Sequence, residues 1–183
     1  MTAKYTTSNG ESGFTLIDLL FTASLICTIA TMALPSLLRA RGVAQASSAI
    51  ATLRVVNSAQ LSFAVTCGSG FYSPAFPSLG VAPPGAPVAF LPPELSSGAA
   101  FTKQGYSFGM SGTALPGAPA SCNGVTAGGG APGYAAWADP LDPVANPKFY
   151  GTNADGTIYT AASSYSSAMP ESGPPPFGAP IPR

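Results

Sequence analysis

Histidine is absent from the 183 residues and charge is scarce, with seven Lys and Arg balanced by seven Asp and Glu. Without histidine, the commonest general base and the commonest zinc ligand are both missing. Neither a Ser-His-Asp nor a Cys-His arrangement can be built. With no basic surplus to neutralise phosphates, nucleic-acid binding is not expected. Beyond the first 40 residues the acids are few and scattered (Glu94, Asp139, Asp142, Asp155 and Glu171), and no helical spacing pairs them. The sequence therefore offers no catalytic residue, metal site or cofactor site, and an enzyme is not expected. Ten Phe, seven Tyr and one Trp nonetheless supply enough apolar bulk to argue against wholesale disorder.

Cysteine is also rare. Cys27 lies inside an apolar segment, where a packing role is the plainer reading. Cys67 and Cys122 lie in the remainder and suit a single disulfide in an oxidising compartment, the other reading being two unrelated buried thiols.

Composition divides the chain into stretches. Residues 1–13 are polar and small, whereas residues 14–38 are apolar or hydroxylic with Asp18 as the only charge. As a helix that run measures about 37 Å, enough to cross a hydrocarbon core of about 30 Å. Arg39 and Arg41 follow, where long cations reach head groups. Over residues 39–66 there is no proline, and Val43, Ala46, Ile50, Leu53, Val56 and Phe63 recur at the spacing of one helix face. Gln45, Ser48 and Thr52 fall on the other face. One nearly continuous helix is expected, first membrane-embedded and then amphipathic, ending at Cys67-Gly68-Ser69-Gly70.

A head over residues 67–160 follows. It opens with a Pro- and Gly-rich loop reaching about Lys103. Tyr106-Met110, Tyr134-Ala138, Lys148-Tyr150 and Thr157-Thr160 read as short strands, the last two joined through the turn-forming Asp155-Gly156 step. The fold class expected is α+β, with the long helix packed on a small antiparallel sheet of three or four strands. Trp137 reads as core. Residues 161–183, Ser/Ala-rich and then Pro-rich, read as a mobile tail.

The junction Glu11-Ser12-Gly13-Phe14-Thr15-Leu16-Ile17-Asp18 carries the functional reading. It resembles the processing site of the type IV pilin and type II secretion pseudopilin family, in which a short leader ending in Gly precedes Phe-Thr-Leu-Ile-Glu. Asp18 stands fifth from the implied new terminus, where that family usually has Glu. Pro35 stands at a position where many pilins have a helix-bending proline. The resemblance implies a leader (residues 1–13), cleavage by a prepilin peptidase between Gly13 and Phe14, and methylation of Phe14. It also implies a homo-oligomeric helical filament, raised from the inner membrane by a pilus or type II secretion assembly platform, with the head in the periplasm.

On the same resemblance, Asp18 pairs with the amino terminus of a neighbouring subunit; taken alone, the residue can equally be read as reaching head groups. Asn153 and Asp155 suit calcium, as in some pseudopilins, or simple turn chemistry. Arg39, Arg41 and Arg54 suit interfacial or solvated positions, or a filament contact. The positive-inside rule, with Lys4 before the run and Arg39 and Arg41 after it, would place the leader outside. Cleavage requires a cytoplasmic leader, and the expectation follows the cleavage. The rival reading is an exported periplasmic binding module with an ordinary signal peptide cut near Thr28-Ile29-Ala30.

Overall fold

The computed structural model describes residues 14–182. A single 51-residue helix, α1, runs from Leu16 to Thr66 and keeps helical geometry through Pro35, the expected kink. The chain divides into two units, one ending at Arg41 and one beginning at Gly42. In the first, the helix exposes its apolar side chains: Leu16 is 82% and Met32 82% accessible.

The second unit contains the rest of α1, two short helices and one sheet. Helices α2 (Phe76–Leu79) and α3 (Pro93–Ser96) each have proline in their first turn, where a missing N–H costs nothing. The strands are β1 (Ala100–Lys103), β2 (Tyr106–Ser111), β3 (Ala135–Pro140), β4 (Phe149–Asn153), β5 (Ile158–Ala161) and β6 (Ala179–Pro180). They form one antiparallel meander in sequence order. The α+β layout of a long helix packed on an antiparallel sheet is as expected, but the sheet has six strands and not three or four.

Both extra strands lie in stretches assigned to loop or tail. β1 pairs with β2 through a two-residue turn in which Gln104 (φ 48°) and Gly105 (φ 79°) both take positive φ, the turn whose twist suits a hairpin. β6 is a two-residue edge strand ending in Pro180, which cannot donate to a further neighbour.

The sheet buries one face against α1. Tyr106, Phe108, Ala136, Ala138 and Tyr150 meet Ala49, Leu53, Val56, Ala59 and Phe63 of the helix. The inward helix face is largely the expected one, with Leu53, Val56 and Phe63 buried and Ala46 and Ile50 packed against the core; Val43 is instead 71% exposed, and Thr52, expected on the other face, is buried with Gln60. The helix ends where Gly68 N–H bonds to Phe63 C=O at 2.7 Å. A Cβ on Gly68 would stand 2.2 Å from Phe71 C=O, so only glycine fits there.

The opposite sheet face is covered by the C-terminal segment. Tyr165 is fully buried and Met169 nearly so, packed with Ala135, Trp137, Phe149 and Phe177. Residues 161–182, expected as a mobile tail, thus form a second layer over the sheet. Two core-filling side chains at about 1.5–3 kcal/mol each account for it. Trp137 is half-buried in this layer, its ring lying against Gly109 of β2.

Candidate functional site

At the start of α1, Thr15 and Asp18 satisfy each other. Asp18 N–H donates to Thr15 Oγ1 (3.3 Å), and Thr15 N–H donates to the Asp18 carboxylate (3.3 Å), which also accepts the Thr15 hydroxyl. This reciprocal pair is a capping box with Asp in place of the usual Glu, and it satisfies two of the otherwise orphaned N–H groups of a helix start. A negative charge in the first turn also suits the helix dipole. Thr15-x-x-Asp18 was legible as a cap in the sequence, though the apolar run drew the reading elsewhere. Phe14 is 74% exposed. Gly13 and the rest of the expected leader lie outside the described residues.

The hydroxylic residues of the apolar run need no water. Thr22, Ser24, Thr28 and Thr31 each donate their hydroxyl to the carbonyl three residues earlier, at 2.8–3.0 Å. Such back-bonding is how a helix carries Ser and Thr in hydrocarbon. The helix is long and apolar enough to span a membrane. Cys27, in this run, is an exposed free thiol.

In the second unit, Cys67 and Cys122 form a disulfide across 55 positions. Cys122 N–H also donates to Cys67 C=O at 3.2 Å, fixing the long β2–β3 connection to the end of α1. On the entropy model a loop of this length adds about 4 kcal/mol of stability.

Polar side chains join α1 to the head at two levels. Fully buried Gln60 accepts Ser73 N–H (2.9 Å) and donates to Ser73 C=O (2.8 Å), imitating a strand pairing. One turn earlier, Asn57 donates to Thr152 Oγ1 (2.9 Å) and accepts the Tyr134 hydroxyl (2.9 Å). Burial raises the Tyr134 phenol well above its ordinary value. Tyr106, whose hydroxyl donates to Lys148 C=O at 3.2 Å, is pushed up to about 12 by burial and then by Tyr150. Gln60 and Asn57 escaped sequence reasoning because their partners are distant backbone and hydroxyl groups.

Asn153 and Asp155 belong to a clasp. Asn153 donates to Pro170 C=O (3.2 Å) and Gly173 C=O (2.6 Å), and Asp155 accepts Gly173 N–H (2.8 Å). The carbonyls a cation would use accept from an amide, so these residues hold the C-terminal layer in place. No group of three or more His, Cys, Asp or Glu converges among the described residues. Arg39, Arg41 and Arg54 are all exposed.

Asp139 is the one unusual acid among the described residues. Its Oδ2 accepts the Ser164 hydroxyl at 2.6 Å, while Oδ1 is buried without a partner. Burial pushes the carboxyl above its ordinary value, the serine bond pulling the other way. The arrangement fastens the C-terminal layer to β3. A scan against protein-family models and a search of curated proteins found no match to this chain.

Proposed function

We propose that this chain is a type IV pilin-like structural subunit, clipped before Phe14 and polymerised through its N-terminal helix. The observation that carries the reading is the division of α1. From Gly42 onward its inward face is buried by its own sheet. Before that, thirteen large apolar side chains between Phe14 and Leu38 stand exposed. At about 1.5–3 kcal/mol each, covering them is worth more than the whole stability of a typical domain. They require lipid, or the same segment of neighbouring copies, and a filament subunit needs both in turn.

Support comes also from the Gly13-Phe14 junction, the self-capped acid at Asp18 and the back-bonded hydroxyls of the run. The subunit waits in the inner membrane with its head in the periplasm; a platform then transfers the helix from lipid into a filament core. The function is mechanical and uses no cofactor. Mass spectrometry of the mature amino terminus tests this reading. A methylated Phe14 is expected; a start near Thr31 would establish an exported module, and an intact Met1 a plain anchor. Surface filaments on cells would distinguish a pilus subunit from a secretion pseudopilin, whose deletion blocks export instead.

A further inference from the structure

We infer that Asn123 is a site of spontaneous deamidation, and that its conversion to an acid releases the loop over residues 121–125 from the turn over residues 78–81. The site lies wholly within the second unit and goes beyond the assembly reading, since it works the same whether or not copies polymerise.

The chemistry needs only the chain and water. The backbone nitrogen that follows an asparagine attacks the side-chain Cγ and closes a succinimide ring. The Cγ–Nδ2 bond breaks, and Nδ2 leaves as ammonia with the proton that the attacking nitrogen gives up. Water then opens the ring at either carbonyl, leaving aspartate or isoaspartate. A glycine in the following position hinders the attack least, because it carries no Cβ.

Four asparagines are described, and three of them are disarmed. Asn57 is followed by Ser58, whose N–H is held inside α1. Asn146 is followed by Pro147, which has no N–H. Asn153 is followed by Ala154, whose N–H donates to Glu171 C=O at 3.2 Å. Even the Asp155-Gly156 step is engaged, since Gly156 N–H donates to Asn153 C=O at 2.9 Å. Asn123 alone precedes an N–H that meets no acceptor among the described residues. That N–H belongs to Gly124, which is exposed, has φ 104°, and has nothing within 4 Å of where a Cβ would stand.

The Asn123 side chain is primed and braked at once. Its Oδ1 accepts the Ser121 hydroxyl at 2.7 Å, a donor placed where negative charge develops as the ring closes. Its Nδ2 donates to Ser78 C=O (2.7 Å) and Val81 C=O (3.0 Å), and both bonds must break before Nδ2 leaves. Two such bonds slow the reaction about 5- to 150-fold relative to a free peptide. Asn123 and Gly124 line an open groove of about 490 Å³ with Pro74, Pro77 and Val81, so water reaches the ring once it forms.

The product cannot keep its place. A carboxylate has no donor for Ser78 C=O or Val81 C=O, and it presents charge to both. Within the loop, Ser121 N–H donates to Val125 C=O and Val125 N–H to Ser121 Oγ, each at 2.9 Å, and Cys122 is bonded to Cys67. The loop therefore parts from the 78–81 turn while staying fixed to the end of α1.

The test incubates the oxidised, detergent-solubilised full chain beside a synthetic peptide of residues 118–128 in mildly alkaline buffer. Mass-spectrometric mapping locates each amide-to-acid conversion and separates aspartate from isoaspartate. Acid at 123 is expected to form about 5- to 150-fold more slowly than in the peptide, with positions 57, 146 and 153 still amides. In the converted fraction, hydrogen exchange at the Gly80 and Val125 N–H groups should quicken about fivefold or more. Asn123→Gln, whose longer side chain closes the ring far less readily, should stay unconverted. An amide intact at 123 after about 150 peptide half-lives, conversion at the peptide's own rate, or earlier conversion of another described asparagine overturns the assignment. Conversion without faster exchange overturns the release of the loop.

Discussion

Replacing Gln60 by methionine isolates what a buried polar clamp contributes. The two side chains are similar in length, so the site stays filled, but both bonds to Ser73 are lost. Ser73 is itself fully buried, which leaves one N–H and one C=O without partners. Each orphaned group costs about 1–3 kcal/mol, partly offset because methionine is easier to bury than an amide. A net loss of about 2–4 kcal/mol is expected; with a slope near 2 kcal/mol/M the urea midpoint falls by about 1–2 M. The assay is urea unfolding of the detergent-solubilised full chain, followed by Trp137 fluorescence. Gln60→Glu adds a sign. Protonated, its carboxyl can accept from Ser73 N–H and donate to Ser73 C=O; ionised, it can only accept. The Glu variant should therefore approach wild-type stability in acid and lose it as pH rises. A methionine variant within about 0.5 kcal/mol of wild type, the range of surface substitutions, would refute the clamp.

Cys67→Ser with Cys122→Ser should lower stability by about 2–5 kcal/mol, read as a fall in thermal midpoint that reductant reproduces in the wild type. Asp139→Asn should stabilise the head at neutral pH. The Asp139 carboxyl is raised on folding, so the folded state holds its proton longer and stability falls as pH climbs from the ordinary carboxylate range through the folded value; the variant should lose that slope in unfolding curves taken across the range. Asp18→Asn keeps an acceptor for Thr15 but removes the charge, whereas Asp18→Ala also removes the cap at about 1 kcal/mol. On the filament reading neither should polymerise, and wild-type filament yield from the Asn variant would refute a role for the charge.

The long helix, four of the strands and the Cys67–Cys122 pairing were legible because each has a local signature: an unbroken proline-free run, period-two alternation, and a lone pair of cysteines outside the apolar segment. The buried helix face was legible at Leu53, Val56 and Phe63, but its full breadth was not, for a physical reason. Alanines carry much of it (Ala49, Ala59 and Ala64), and they register weakly as apolar, while Val55, Leu61 and Val65 point outward. Close approach of the sheet favours the small residues, and Thr52 and Gln60 are admitted because each finds a backbone partner. Neither reason shows in one segment read alone. The C-terminal layer was missed similarly. Proline-rich sequence reads as tail, yet Tyr165, Met169 and Phe177 are anchors spaced too irregularly for either helix or strand.

The same magnitudes bear on why an acid is tolerated within the apolar run. At a bilayer centre an acid costs about 2.5–3.5 kcal/mol. The capping box contributes about 1 kcal/mol and the helix dipole about 0.3–1, so self-capping offsets much of that cost even at full depth. Asp18 is the third residue of the helix, closer to a membrane face than to its centre, where the cost is smaller. A monomer can thus rest in lipid without a stranded charge. Both bonds from Thr15 fall on Oδ2, and a carboxylate has about four acceptor sites, so Oδ1 keeps capacity for an incoming amine. On the filament reading, pairing with a neighbour would add a directional contact to an acid already held in position. On the proposed filament reading, the drive to polymerise would come from the exposed apolar side chains, and the acid would select the register in which they meet.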